Sequence, residues 1–77
     1  MKLRYTRHAL KRMNQRGLKA AIIERVVESP ESTEEQEDGC IRYYGWIEEL
    51  GFVLRVVCRD DLVITALPDR AAKRRKR

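Results

Sequence analysis

Three apolar segments in the second half of the chain follow one another so closely that they can pair only as antiparallel hairpins. They span residues 40–47, 52–58 and 62–67, and the links between them are residues 48–51 and 59–61. Links this short cannot carry the crossover connection that parallel neighbours need. The sequence therefore predicts an antiparallel sheet built on these three strands.

The acidic segment before these strands is either a fourth strand or a loop. Asp38-Gly39 favours a tight two-residue hairpin turn, which would pair residues 31–37 with the strand over residues 40–47. Residues 31–37 contain no apolar side chain that would anchor them to a core. The expected sheet therefore has three to four strands, and the fourth would lie at an edge.

Pairing Ile47 with Phe52 and Cys58 with Leu62 gives both hairpins one apolar side in common. A shift by one residue would turn every side chain to the other face, so the pattern favours this register. The side chains expected on the core side are Ile41, Tyr43, Gly45, Ile47, Phe52, Leu54, Val56, Cys58, Leu62, Ile64 and Ala66.

The other side of the sheet combines cationic, aromatic and hydroxyl groups. Its expected members are Arg42, Tyr44, Trp46, Val53, Arg55, Val57, Val63, Thr65 and Leu67. In the predicted register Arg55 lies between Tyr44 and Thr65, a setting that suits a phosphate with a base stacked beside it. The alternative is that Arg55 packs its stem over the sheet and pairs with an acid. Arg42, Tyr44 and Trp46 are the candidate nucleic-acid-binding residues of this face.

A first helix is predicted over residues 7–16, after an extended lead-in at residues 1–5. The Thr6 hydroxyl can satisfy a free amide of its first turn, and Gly17 suits its C-terminal end. Its apolar members Ala9, Leu10 and Met13 are expected to face the core.

A second helix is predicted over residues 19–28 and is stopped by Ser29-Pro30. Its broad apolar stripe consists of Leu18, Ile22, Ile23, Val26 and Val27. Residues 1–69 should therefore form one α+β domain, in which two N-terminal helices pack on one face of the sheet.

His8, Arg12 and Arg16 form a ridge along the first helix. They follow at steps of four, so each lies about 40° round the helix from the last. His8 is the only histidine, and an imidazole has an ordinary pKa, about 6.5, that suits proton transfer at neutral pH. The alternative is that His8 caps or packs the helix start and that the arginines form a solvated edge.

Charge is distributed unevenly along the chain, whose formal net charge is +5. Residues 1–25 hold eight Lys or Arg and one acid, while residues 26–50 hold eight acids and one arginine. Residues 70–77 form a basic tail that is expected to be disordered. Its candidate nucleic-acid-binding residues are Lys73, Arg74, Arg75, Lys76 and Arg77. Such a tail strengthens nucleic-acid binding through counterion release, or it only aids solubility.

Composition argues against several classes of protein. No segment approaches the roughly 18 apolar residues of a membrane span, and no apolar signal core follows the basic N-terminus, so a cytoplasmic location is expected. Cys40 and Cys58 are too few for a disulfide framework or a metal site, and the predicted register places them on opposite faces. The sequence contains no cluster of carboxylates in an arrangement that would suggest a requirement for Mg²⁺. No metal and no cofactor are expected.

Taken together, these segments resemble a bacterial family of unknown function, DUF4258. The resemblance covers roughly residues 4–67 and is carried by HALKRMNQRG, the helix ending at Ser29-Pro30, RYYG, LRVV and VIT. That family is regarded as related to RelE/ParE-like toxins of the barnase/colicin/RelE ribonuclease fold group. The resemblance implies two N-terminal helices on an antiparallel sheet, in agreement with the pattern. Lys19, where the family usually has serine or threonine, and the basic tail depart from it.

The resemblance also implies an activity and the residues that carry it. The family's histidine–arginine pattern falls on His8, Arg12 and Arg16, its middle-strand arginine on Arg55, and its strand-end hydroxyl on Thr65. The implied function is a metal-independent endoribonuclease, the toxin of a toxin–antitoxin pair, with RNA as substrate and an antitoxin protein as a further partner. His8 would take the proton of an attacking 2′-hydroxyl, and the arginines would stabilise the charge on the phosphate.

Two alternatives require no cleavage. One is a non-catalytic nucleic-acid- or protein-binding module of the same fold, and the other is a ParE-like poison of a topoisomerase. The predicted register bears on the choice, because His8 belongs to the helix-covered side of the sheet and Arg55 to the other. They can share one site only at the rim of the sheet or through its twist.

Overall fold

The computed structural model describes residues 2–69, in which two helices pack on one face of a five-stranded sheet. The elements are β1 (Arg4–Tyr5), α1 (Arg7–Arg16), α2 (Ala20–Glu28), β2 (Ser32–Glu35), β3 (Ile41–Ile47), β4 (Phe52–Arg59) and β5 (Leu62–Pro68). The strand order is β1-β5-β4-β3-β2. The predicted α+β class is confirmed. Within residues 2–69 no helix is long and apolar enough to cross a membrane.

The sheet is mixed, and it has more strands than the three to four antiparallel ones predicted. β1 pairs in parallel with β5, through hydrogen bonds from Arg4 N to Asp61 O (2.8 Å) and from Thr6 N to Val63 O (3.0 Å). Arg4 Nη2 also forms an ion pair with Asp61 Oδ1 at 2.8 Å. Two residues are too few to show strand alternation, so the pattern predicts only an extended lead-in there.

α1 begins and ends at the residues that its capping groups predict. The Thr6 hydroxyl accepts a hydrogen bond from Ala9 N at 3.0 Å and donates one to Ile64 O at 2.9 Å, so it both caps α1 and ties it to β5. Gly17 ends the helix with a φ of 67°, a conformation that favours glycine. α2 begins one residue later than predicted, because Lys19 precedes it as an N-cap without a side-chain hydrogen bond.

The core lies between the helices and the sheet. Its buried members are Leu3, Ala9, Met13, Leu18, Ile23, Val26, Val27, Ile47, Leu54, Val56, Cys58, Val63 and Ala66. Leu10, which the sequence places on the core side, is 52% exposed. It lies about 100° round α1 from Ala9, and that angle carries it off the buried stripe.

The β3–β4 hairpin has the predicted register. Ile47 pairs with Phe52, and Gly45 pairs with Leu54 on the core side. A Cβ at Gly45 would lie 3.2 Å from Cγ2 of Val26, which is itself 2% exposed. α2 therefore packs closely over β3 at this glycine.

The β4–β5 hairpin does not have the predicted register. Cys58 pairs with Val63 rather than with Leu62, and a bulge then leaves Ile64 outside the ladder before Thr65 resumes pairing. Val63 is completely buried as a result, whereas Leu62 and Ile64 are only half-buried. The carbonyl of the bulged Ile64 accepts the Thr6 hydroxyl, so the start of α1 stabilises the irregularity.

The acidic segment forms an edge strand, because β2 pairs antiparallel with β3. The turn is longer than the Asp38-Gly39 dipeptide predicts and spans residues 36–40, closed by Gln36 N to Cys40 O at 2.8 Å. Cys40 N also donates to Asp38 Oδ1 at 3.0 Å, and this hydrogen bond lowers the pKa of Asp38. The longer turn sets which acid of β2 faces which residue of β3.

Gly45→Leu is expected to destabilise the protein by about 1–3 kcal/mol, because the added side chain overpacks the contact with Val26. Urea unfolding followed by circular dichroism measures the change. Ser32→Leu is the comparison variant, since it places the same side chain at an exposed position of β2 and should shift stability by no more than about 0.5 kcal/mol. Equal effects of the two variants would contradict the close packing of α2 on β3.

An ion pair between α2 and the β3–β4 turn predicts acid sensitivity. Arg25 donates from Nη1 to Glu49 Oε1 (3.2 Å) and from Nη2 to Oε2 (2.9 Å), and these bonds lower the pKa of Glu49 from 4.5 to about 2. A depressed carboxyl pKa stabilises the fold above the unfolded value and loses that contribution as the pH falls. Stability should therefore fall between pH 4.5 and about 2.

Glu49→Gln and Arg25→Gln should both flatten this part of the pH profile, because each removes one partner. Urea midpoints of the three proteins, compared at several values across that window, measure the difference. If the difference in urea midpoint between wild type and the variants stayed constant from neutral to acidic pH, the Arg25–Glu49 pair would not be the cause of the acid sensitivity.

Candidate nucleic-acid interface

The side of the sheet away from both helices is the candidate interface, and we refer to it as the open face. Side chains alternate along each strand, so the observed pairings identify its members. They are Ser32 and Glu34 of β2, Arg42, Tyr44 and Trp46 of β3, Val53, Arg55, Val57 and Arg59 of β4, and Leu62, Thr65 and Leu67 of β5. Leu62 is predicted on the core side, but it pairs with Arg59 and lies on the open face instead. The two described helices contribute their buried residues to the core on the other side.

Arg55 lies at the centre of the open face, on the middle strand of the sheet. Tyr44 faces it from β3 and Leu67 faces it from β5. Its side chain is half-buried, and within residues 2–69 it has no hydrogen-bond or ion-pair partner. The alternative expectation, that an acid neutralises Arg55, is therefore not met in the described part of the chain.

The predicted place of Thr65 beside Arg55 is wrong. Cys58 pairs one residue further along β5 than predicted, and the bulge at Ile64 adds a second residue, so Thr65 pairs with Val57 and Leu67 lies opposite Arg55. Arg55 thus has an aromatic neighbour on one side and an aliphatic one on the other. The hydroxyl of Thr65 remains on the open face, but it belongs to the pair two residues along the ladder from that of Arg55.

A carboxylate on β2 completes a polar cluster that the sequence does not identify as a candidate site. Glu34 pairs with Arg42 in the ladder, and its Oε1 accepts hydrogen bonds from the Tyr44 hydroxyl (3.1 Å) and from Arg42 Nη1 (3.3 Å). Tyr44 and then Glu34 raise the pKa of Arg42. The position of Glu34 on a strand paired with β3 could have identified it. A two-residue turn at Asp38-Gly39, however, pairs Arg42 with Glu35 instead of Glu34.

Trp46 lies on the same strand and the same side as Tyr44. Its indole Nε1 donates a hydrogen bond to Glu48 Oε1 at 2.8 Å, and its ring is half-buried. The ring is therefore held at one end of the open face. Tyr44 and Trp46 stand two residues apart, about 7 Å along the strand.

His8, Arg12 and Arg16 lie on α1, which packs against β5 and β1 on the covered side of the sheet. His8 and Arg16 are exposed, and Arg12 Nη1 donates to Gln15 Oε1 at 2.9 Å. The exposure of His8 argues against a packing role. The sheet separates this ridge from Arg55, so the five predicted catalytic residues do not converge on one site.

Metal-ligating side chains do not gather in the part of the chain that the structure describes. No group of three or more His, Cys, Asp or Glu residues there has the geometry to hold a metal ion. Cys40 and Cys58 are buried free thiols, and burial raises the pKa of Cys58 to about 11. The predicted binding residues Lys73 to Arg77 lie outside the described residues.

Comparison with known proteins identifies a family and no individual relative. The family model with the description "Domain of unknown function (DUF4258)" matches residues 5–67, which includes both helices and nearly all of the sheet. Searches of curated proteins and of solved structures find no significant match to the chain. The open face and the helix ridge both lie within the matched region.

Proposed function

This chain belongs to the DUF4258 family, and because that family has no established function, we propose one from the geometry of the chain itself: binding of single-stranded RNA on the open face. The observation that carries the proposal is the guanidinium of Arg55, which has no partner within residues 2–69 and lies half-buried at the centre of that face, opposite Tyr44. Phosphate would occupy the guanidinium, and bases would stack on the neighbouring rings.

Arg55 is suited to binding a phosphate because its N–H donors are preorganised. Arginine presents a planar fork of N–H groups that matches two phosphate oxygens at once. Neighbours on both sides, Tyr44 and Leu67, restrict its stem. No bond to an acid within residues 2–69 has to be broken before the phosphate binds. Arg42 is already engaged with Glu34, and Arg59 at the end of β4 donates to the carbonyl of Asp38. Among the arginines of the open face, Arg55 is thus the one without a partner within residues 2–69.

The aromatic residues supply the second half of the site. Base-on-ring stacking contributes about 1–3 kcal/mol per base and tolerates any sequence. Tyr44 and Trp46 project from one strand on one side, which provides room for two bases beside the phosphate at Arg55. Because stacking requires unpaired bases, the proposed ligand is single-stranded rather than duplex RNA.

The second candidate is the metal-independent endoribonuclease toxin that the resemblance to RelE/ParE-like proteins implies. The observation that favours it is the Glu34–Tyr44–Arg42 cluster, which lies next to Arg55 on the same face. Chemistry on the phosphate would need such groups beside the cation that binds it. An antitoxin would then cover the open face, including its apolar members Val57 and Leu67.

Intrinsic fluorescence tests the proposed function directly, because Trp46 is the only tryptophan. A short single-stranded RNA should change the Trp46 emission, and rising salt should reverse the change as counterion release predicts. Duplex RNA of the same length and single-stranded DNA are the comparison ligands. Binding detected by anisotropy without any change at Trp46 would place the RNA elsewhere, and equal binding of the duplex would contradict stacking.

A further inference from the structure

Within the described part of the chain, the hydrogen bonds to the Glu34 side chain involve one carboxylate oxygen and not the other. Both described hydrogen bonds, from the Tyr44 hydroxyl and from Arg42 Nη1, end on Oε1. Oε2 receives no hydrogen bond from any residue between 2 and 69. Two donors on Oε1 orient the carboxyl group. The free oxygen is then a fixed proton acceptor on the open face.

Tyr44 connects this carboxylate to the proposed phosphate site. Tyr44 pairs with Arg55 across the β3–β4 ladder, while its hydroxyl reaches Glu34 across the β2–β3 ladder. Residues that pair directly have Cβ atoms about 4.5–5.5 Å apart, so an RNA phosphate on Arg55 lies beside Tyr44. The ribose attached to that phosphate can extend toward β2, where the carboxylate stands.

We propose that Glu34 is the catalytic base of a metal-independent RNA cleavage on the open face, an inference that rests on the proposed binding of RNA there. Glu34 Oε2 takes the proton of the ribose 2′-hydroxyl, and the 2′-oxygen forms a bond to the adjacent phosphorus. The bond from phosphorus to the 5′-oxygen breaks, and that oxygen leaves with a proton from solvent. The products are a 2′,3′-cyclic phosphate and a 5′-hydroxyl, and the carboxyl returns its proton to solvent.

The other side chains of the cluster have defined tasks in this step. Arg55 holds the phosphate and stabilises the charge that builds on its oxygens. Arg42 is a positioning residue, because it acts through Glu34 rather than on the RNA. Tyr44 has two tasks, since its hydroxyl orients Glu34 and its ring stacks on a base. His8 takes no part, since α1 lies on the other side of the sheet. The step requires the 2′-hydroxyl, so the substrate is RNA and not DNA.

The deciding experiment compares binding and cleavage of one labelled single-stranded RNA, with a chelator present throughout. The wild-type chain should bind and cut it. Glu34→Gln keeps an oxygen for Tyr44 and Arg42 but is no base at neutral pH, so cutting should slow by about 10²-fold or more while binding changes little. Glu35→Gln is the matched control, because Glu35 is exposed on the same strand but pairs with Ile41 and projects from the other side of the sheet.

A second comparison tests the need for the 2′-hydroxyl and for His8. An RNA carrying 2′-O-methyl groups should bind to the wild-type chain without being cut, and His8→Asn should cut the unmodified RNA at the wild-type rate. Binding without cutting by the wild-type chain, or equal rates for Glu34→Gln and Glu35→Gln, would overturn the role of Glu34 and leave the proposed binding intact. Failure to bind RNA at all would instead overturn the proposed function.

Discussion

Arg55→Glu is expected to weaken the binding of single-stranded RNA by about tenfold to a hundredfold. A hydrogen bond to a charged partner contributes about 1.5–3 kcal/mol, and about 1.4 kcal/mol corresponds to a factor of ten in affinity. The substitution removes the donors and places a negative charge where the phosphate would lie. Because Arg55 has no ion-pair partner within residues 2–69, the fold should not depend on its charge. Fluorescence anisotropy at a fixed salt concentration measures the loss.

Two further variants determine what the loss means. Arg55→Lys keeps the charge but not the planar fork, so its affinity for RNA should lie between that of wild type and that of Arg55→Glu. Arg7→Glu makes the same change of charge at an exposed position of α1, and at about 0.15 M salt screening should limit its effect to roughly twofold. If Arg7→Glu weakened binding as much as Arg55→Glu, the RNA would be held by overall charge and not by the open face.

The parts of the fold that a local pattern determines were predictable from the sequence. Thr6 and Gly17 mark the ends of α1 because capping depends on neighbouring residues only. The β3–β4 register could be predicted because the apolar side chains of both strands alternate and fall on the same side of the sheet. All seven observed pairs have this register. The same register placed Tyr44 opposite Arg55, so the centre of the candidate site was predictable as well.

The parts that depend on distant contacts were not predictable. The β5 bulge at Ile64 is stabilised by Thr6, which lies 58 residues away in the chain, and no pattern within β5 reveals it. That bulge, together with the one-residue shift at Cys58, accounts for the wrong neighbour predicted for Arg55. β1 is likewise defined by its pairing with β5 and not by its own two residues.

The position of Glu34 was missed for a similar reason. The turn over residues 36–40 is one residue out of step with the Asp38-Gly39 prediction, so it puts Glu34 rather than Glu35 opposite Arg42. β2 has no apolar residues, so no alternation of apolar and polar side chains indicates its register, and the sequence does not reveal such an error. The separation of His8 from Arg55 follows from the layer order, which the helix and strand patterns already imply.

Leu54→Ala is expected to cost about 2–5 kcal/mol of stability. Leu54 is completely buried on the core side of β4, the middle strand of the sheet, and the cavity left by its side chain would be bounded on both sides by paired strands. A core of this size rarely supplies more than about 3–5 kcal/mol in total. The variant should therefore be largely or wholly unfolded near room temperature, as circular dichroism and urea titration would show.

Val57→Ala on the same strand tests whether the open face is truly a surface. Val57 projects from the other side of β4 and is only half-buried, so its truncation should cost about 1 kcal/mol or less, in proportion to the apolar area it shields. A large difference in stability between the two variants means that the open face around Val57 is not part of the core, and that Arg55 and Tyr44 are accessible to a ligand. If Val57→Ala were as damaging as Leu54→Ala, some part of the chain would cover the open face, and RNA could not reach Arg55 without displacing it.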